Sequence, residues 1–325
     1  MTEQAVDISQ RSPQVNEFEF GHGKFVVVRA MPSGENEVVT GEKQRPIVYL
    51  PGHNLNPRTG VAKATFDIQQ IANASGSEVL SFVFLGGRSK SVEIADGYPD
   101  GAKIPEYYRD KASDMLEALR KMREEGKLDG EPLDLIGYSD GGAIALTMVE
   151  HYPNAFGNVE LVNSVGIDGR STIGTAIHVP IELGKVATGW GRQRGGTPIP
   201  KGEKLRFEHN EGERMTARQK VQQLITEERA IARSHVQTLI PHLLKRNPQL
   251  HFGIYTTDND SIVSAPRTRS VISSLLQKGE TRVTFGTTGW DQHMISTRED
   301  RRGSRLQDMG GWMRGMRQGS IGNRG

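Results

Sequence analysis

The chain has 325 residues, 35% of them apolar and 25% charged, with 41 Lys and Arg against 39 Asp and Glu for a net charge of +2. That length buries a large core, sized for one large α/β domain or two small ones, and the ordinary charged share argues against wholesale disorder. The near-neutral balance excludes the electrostatic footprint of a nucleic-acid binder, and the absence of cysteine excludes disulfides, thiol nucleophiles and zinc–thiolate sites.

Residues 1–16 are polar, are expected to be loosely ordered, and lack the basic start and apolar stretch of a signal peptide. No window approaches the about 18 continuous apolar residues that a membrane span needs. The expectation is a soluble, cytoplasmic protein with neither membrane nor nucleic acid as partner. "FEFGHGKFVVVRAM" reads as two β segments joined at Gly-His-Gly, and "RPIVYLPGHN" as an apolar strand broken at Pro51-Gly52. A helix, "VAKATFDIQQIANAS", and a strand, "EVLSFVFLGG", follow, then a Gly/Asp/Pro-rich loop. "PEYYRDKASDMLEALRKMREEGKL" opens on a proline, places Met115, Leu116, Leu119 and Met122 at helical spacing, and closes at Gly126.

Next come the strand "LDLIGYS" and the helix "GGAIALTMVEHY". Later strands read at 159–166, 250–257 and 281–286, with the helix "APRTRSVISSLLQK" between the last two. Short apolar strands alternating with helices specify a mostly parallel central sheet flanked by helices on both faces. Residues 168–247 interrupt the alternation with a Gly-rich basic stretch and one long helical pattern, 216–246, and read as an inserted helical cap. The expected core is therefore 17–167 with 248–313, and residues 314–325 form a basic, frayed tail.

Gly137-Tyr138-Ser139-Asp140-Gly141 fits G-x-S-x-G at a strand-to-helix junction. A serine there sits on a tight turn with unfavourable backbone angles, its hydroxyl projecting above the sheet, and the flanking glycines leave room for close neighbours. The backbone N–H of Asp140 then opens a helix, where free donors and the dipole favour an oxyanion. A nucleophilic serine needs a base. Among the nine histidines, His293 follows the last strand through "TTGWDQ" and precedes the final helix, on the same sheet edge as Ser139. The histidine in turn needs an acid. Asp258 and Asp260 both lie in "DNDSIVSAP", at the end of the preceding strand.

With Ser, Asp and His on successive strand ends, the chain resembles the α/β-hydrolase fold superfamily in its serine-nucleophile branch, through "GYSDGG", "DNDSIVSAP" and "GWDQH". The resemblance covers 20–167 and 248–313 and favours Asp260 over Asp258, because the acid there often stands in Asp-x-Ile/Val-Val-Pro; Ser264 replaces that proline. "IVYLPGHNLN" is similar to the superfamily's loop after its third strand, with Pro51-Gly52 in place of a His-Gly pair, which implies a second oxyanion donor at the backbone N–H of His53 or Asn54.

The resemblance implies a cofactor-free, metal-free serine hydrolase of a carboxylic ester or similar small acyl substrate. A C–C bond hydrolase, an acyltransferase or a cofactor-free haloperoxidase would use the same residues, and a non-catalytic ligand-binding protein is the reading from a different class. Tyr138, Trp190 and Trp290, with Asn54, are candidates to line the acyl pocket, and Arg192, Arg194 and Lys201 to meet an anionic head group.

Overall fold

Apolar runs of about 4–8 residues bounded by turn-formers become strands, and the amphipathic patterns between them become helices. The computed structural model describes residues 14–20, 23–33, 44–52, 60–86, 91–99, 101–128, 132–168, 217–258, 260, 262–277, 279–290 and 299–319. The first half holds β1 (Gln14–Phe20), β2 (Gly23–Ala30), β3 (Ile47–Leu50), α1 (Gly60–Ser75), β4 (Val79–Gly86), α2 (Glu106–Glu124), β5 (Leu133–Tyr138), α3 (Asp140–His151) and β6 (Phe156–Val162). The second half holds α4 (Ala217–Arg233), α5 (Leu239–Arg246), β7 (His251–Thr257), α6 (Ala265–Leu276), β8 (Val283–Thr288) and α7 (Glu299–Arg317).

Among the described residues, eight strands form one sheet in the order β1-β2-β4-β3-β5-β6-β7-β8. β1 and β2 are an antiparallel hairpin, β2 meets β4 antiparallel, and every pairing from β4 to β8 is parallel. Chain order reverses at β3: β4 lies on one side of it and β5 on the other. In open parallel sheets the crevice outside the carboxyl ends at such a switch point is where ligands bind.

Successive strand residues point to opposite faces, so each strand feeds two apolar layers. Leu50, Leu135, Leu161 and Ile254 pack with α2, α3, α5 and α6 on one face. Tyr49, Ile136, Val162 and Tyr255 pack with α1 and α7 on the other. Burial of each such side chain stabilises by about 1.5–3 kcal/mol, which is why the central strands read as continuous apolar runs rather than alternating ones. α1 and α7 approach closely enough that a Cβ on Gly310 would lie 2.6 Å from the Ile71 carbonyl oxygen. Between them, Arg302 Nε donates to Asp67 Oδ1 at 2.6 Å and Arg302 Nη2 meets Asp67 Oδ2, with both residues buried.

Several elements depart from the sequence expectation: β1 begins at Gln14, inside the stretch expected to be loosely ordered, because it pairs with β2, and β6 spans Phe156–Val162 rather than 159–166, because Asn163 turns to a positive φ. The single helical pattern 216–246 divides into α4 and α5, because His235 pairs with Lys103 through mutual backbone hydrogen bonds of 2.9 Å and the Val236 N–H donates to the Gly166 carbonyl at 3.0 Å. α5, at the end of the interval expected as cap, packs into the main apolar layer through Leu239, Ile240, Leu243 and Leu244. Residues 169–216 of that interval lie outside the described residues. The final helix runs to Arg317, past the expected start of the tail at 314, since Arg317 Nε donates to the buried Asp134 Oδ2 at 2.6 Å and its Nη2 to the Arg45 carbonyl at 2.7 Å. Among the described residues no helix is long and apolar enough to cross a membrane.

Candidate active site

Ser139 joins β5 to α3 and is 5% exposed. Its φ of 55° and ψ of −121° place a non-glycine residue in a region of backbone space that costs about 1–3 kcal/mol. Surrounding hydrogen bonds hold it there. The Ser139 N–H donates to the Val162 carbonyl at 3.0 Å, and the Ser139 carbonyl accepts from the N–H groups of Gly142 and Val165 at 3.1 Å each.

The glycines of the motif are required by close approach. A Cβ on Gly137 would lie 2.6 Å from Gly142 Cα, and one on Gly141 would lie 2.1 Å from the Leu50 carbonyl oxygen. Gly52, just past β3, abuts the same turn: its Cβ would lie 2.8 Å from Ser139 Cβ and 2.9 Å from Tyr138 Cδ1. The carboxyl ends of β3 and β5 therefore meet at Gly52 and Ser139, at the switch point of the sheet.

Asp140 is buried as the first residue of α3, so its backbone N–H opens a helix and its end of the dipole favours negative charge. Its carboxylate also faces α2. The Tyr108 phenol is held well above its usual pKa, first by burial and then by Asp140.

The two aspartates after β7 occupy different environments. Asp258 is exposed, whereas Asp260 is 8% exposed. Asp260 Oδ1 accepts the N–H groups of Ile262 at 2.7 Å and Val263 at 2.9 Å, and the Asp260 N–H donates to the Thr257 carbonyl at 3.1 Å. Two main-chain donors thus fix this carboxylate at the end of β7. Asp168, after β6, braces the same loop by accepting the Ser264 N–H at 2.9 Å.

Tyr138 is buried in the α1/α7 layer beside Gly52. Trp290 is 8% exposed and engaged by α7: its Nε1 donates to Asp308 Oδ2 at 3.0 Å, and its ring stacks with Trp312 at 5.8 Å. Trp312 in turn stacks on Tyr255 at 4.2 Å. His293, His53, Asn54 and Trp190 lie outside the described residues, as do Arg192, Arg194 and Lys201. Among the described residues, no group of three or more His, Asp or Glu side chains gathers to hold a metal ion.

Three polar residues at the strand ends went unread in the sequence. Asn163, Thr257 and Thr288 stand at the carboxyl ends of β6, β7 and β8 and hydrogen-bond to one another. Two strands ending in the same Thr-Thr pair, "IYTT" and "FGTT", were a visible signal, as was an asparagine closing an apolar strand.

No family model and no curated protein matches the sequence. Solved structures do resemble the fold. A variant of the esterase rPPE is 13% identical with a TM-score of 0.52 over 95% of this chain and 84% of its own. A soluble variant of the monoglyceride lipase of Saccharomyces cerevisiae, solved with a substrate analogue, is 12% identical with a TM-score of 0.52 over 96% of this chain and 98% of its own. An esterase of Pyrobaculum calidifontis is 13% identical with a TM-score of 0.50 over 94% of this chain and 86% of its own. With the strand order and the parallel sheet flanked by helices, these likenesses establish the α/β-hydrolase fold.

Proposed function

We propose that the protein is a serine hydrolase that cleaves a carboxylic ester or a similar small acyl substrate. Ser139 Oγ attacks the acyl carbonyl while His293 takes its proton, and Asp260 orients the imidazole and stabilises the imidazolium. The backbone N–H groups of Asp140 and His53 hold the tetrahedral oxyanion, each contributing about 3 kcal/mol to lowering the barrier. The alcohol leaves with the proton from His293. Water, activated by the same histidine, then releases the acyl group and restores Ser139. Of the interval 168–247, the part that precedes α4 is proposed to cap this crevice, since α5 belongs to the main apolar layer.

The observation that carries the reading is the backbone of Ser139. A strained serine, between glycines that admit no side chain, stands at the switch point of a parallel sheet and immediately before a helix N-terminus. Strain of this kind persists only where the surroundings enforce it, and it gathers at reactive groups. The burial of Asp260 beside an exposed Asp258 supports Asp260 as the acid, and the esterase and lipase among the similar folds support the substrate class. A panel of p-nitrophenyl esters of increasing acyl length tests the reading. Wild type hydrolyses at least one member, and Ser139→Ala and His293→Ala each lose turnover by about 10³-fold or more. A folded wild type inert to the whole panel contradicts it.

A further inference from the structure

The mechanism above leaves unused a chain of buried hydrogen bonds that joins the strand ends carrying its residues. Asn163 and Thr257 are fully buried and Thr288 is 3% exposed. Asn163 closes β6 with a φ of 46°, a left-handed conformation that asparagine tolerates better than most residues. Its backbone N–H donates to the Tyr255 carbonyl at 2.8 Å. Its side chain clasps Thr257 twice: Oδ1 accepts the Thr257 N–H at 2.8 Å, and Nδ2 donates to Thr257 Oγ1 at 2.9 Å. Thr257 Oγ1 also shares a hydrogen bond with Thr288 Oγ1 at 2.9 Å, in which either hydroxyl can donate. Thr288 Oγ1 also accepts the Trp290 N–H at 3.3 Å.

This chain touches each part of the proposed triad's support. Residues 162 and 165, on either side of Asn163, hold the Ser139 peptide through the Val162 carbonyl and the Val165 N–H. The Thr257 carbonyl accepts the Asp260 N–H. Trp290 lies three residues before His293. Valine at 257 and 288 fills nearly the same volume without burying a hydroxyl, and a buried polar group left partly satisfied is costly. Three buried polar side chains instead fix β6, β7 and β8 at one register at the edge where the reacting groups must converge.

We infer that Asn163, Thr257 and Thr288 are positioning residues that hold Ser139, Asp260 and Trp290, three residues before His293 in the chain, in mutual register. The inference rests on the serine-hydrolase reading. Thr257→Val and Thr288→Val delete hydroxyls while keeping shape, and Thr257→Ser keeps the hydroxyl while deleting a methyl. Each variant and wild type is assayed on a short p-nitrophenyl ester and for the second-order rate of fluorophosphonate labelling, with cooperative melting checked in parallel.

In the valine variants kcat and the labelling rate fall together by about 10- to 100-fold, KM stays within about twofold, and Thr257→Ser recovers to within about threefold of wild type. Valine variants that melt cooperatively yet keep kcat and labelling within about twofold overturn the inference and leave the hydrolase reading standing. A loss that Thr257→Ser does not recover overturns it as well. Should Thr257→Val fail to fold, Thr288→Val decides by the same readouts. A folded wild type that neither turns over an ester nor takes the label overturns the hydrolase reading, and this inference with it.

Discussion

Gly52 and Ser139 come from segments far apart in sequence and stand so close that a Cβ on Gly52 would lie 2.8 Å from Ser139 Cβ. Neither the strained serine turn nor the Tyr138 ring behind it is the far end of a flexible chain, so an added methyl must displace backbone. Gly52→Ala is expected to cost about 1–3 kcal/mol of stability by overpacking and to lower kcat by about 100-fold through misplacement of Ser139. Urea unfolding and ester kinetics on the same preparation check both; an alanine variant with wild-type kcat contradicts the close approach.

The strain at Ser139 is itself measurable. With φ at 55° and ψ at −121°, glycine fits the backbone where alanine does not. Both Ser139→Gly and Ser139→Ala remove the hydroxyl, and the strain that alanine keeps opposes its gains from a buried Cβ and a less flexible unfolded chain. Ser139→Gly is expected to be more stable than Ser139→Ala by about 1 kcal/mol or more, read as a higher midpoint in urea. Equal midpoints would mean that the turn relaxes when the serine is removed.

How much was legible follows from which forces were local. The alternation of strands and helices was visible because strands covered on both faces must be apolar throughout, as in Ile47–Leu50 and Leu133–Tyr138. The glycines around Ser139 were visible because contact with Leu50 and Gly142 dictates them residue by residue. The break between α4 and α5 was not visible, because it is imposed by distant partners, Lys103 and Gly166. Asp260 was favoured over Asp258 only through the Ile-Val that follows it, and the turn that buries one and leaves the other exposed separates the pair physically. The Thr-Thr strand ends were plain in the sequence, but their meaning depends on β7 lying beside β8 and β6. Asp67 and Arg302 stand 235 residues apart; a lone aspartate between Ala64 and Ile68 on an apolar helix face was the only hint.

That pair ties α1 to α7 in a dry interface, with side chains 1% and 5% exposed. Removing one partner strands a buried charge, so Asp67→Ala is expected to destabilise by about 3–5 kcal/mol. Exchanging the two residues, as Asp67→Arg with Arg302→Asp, recovers part of the loss. Chemical denaturation of the single and double variants measures the coupling, and additive single effects would show that the two groups do not interact.

Glu160 on β6 is fully buried, and neither carboxyl oxygen has a hydrogen-bond partner among the described residues. Burial, and secondarily the Asp308 carboxylate, push its pKa well above the ordinary 4.5, so the folded chain keeps this carboxyl protonated where the unfolded chain has released the proton. Stability from this group is therefore full below about 4.5 and is lost as pH rises from there toward the folded pKa. Glu160→Gln is expected to leave the melting temperature unchanged at low pH and to raise it at about pH 8, flattening the pH profile. A profile parallel to wild type contradicts a protonated Glu160.

The claim on which the account turns is that Ser139 is the reactive nucleophile. Its most direct measurement is intact mass and peptide mapping after treatment with a fluorophosphonate, on wild type, Ser139→Ala and Asp260→Asn. The expected result is one adduct on the peptide carrying Ser139, absent in Ser139→Ala and formed at least about tenfold more slowly in Asp260→Asn. A folded wild type that takes no adduct, or takes it at another serine, contradicts the claim.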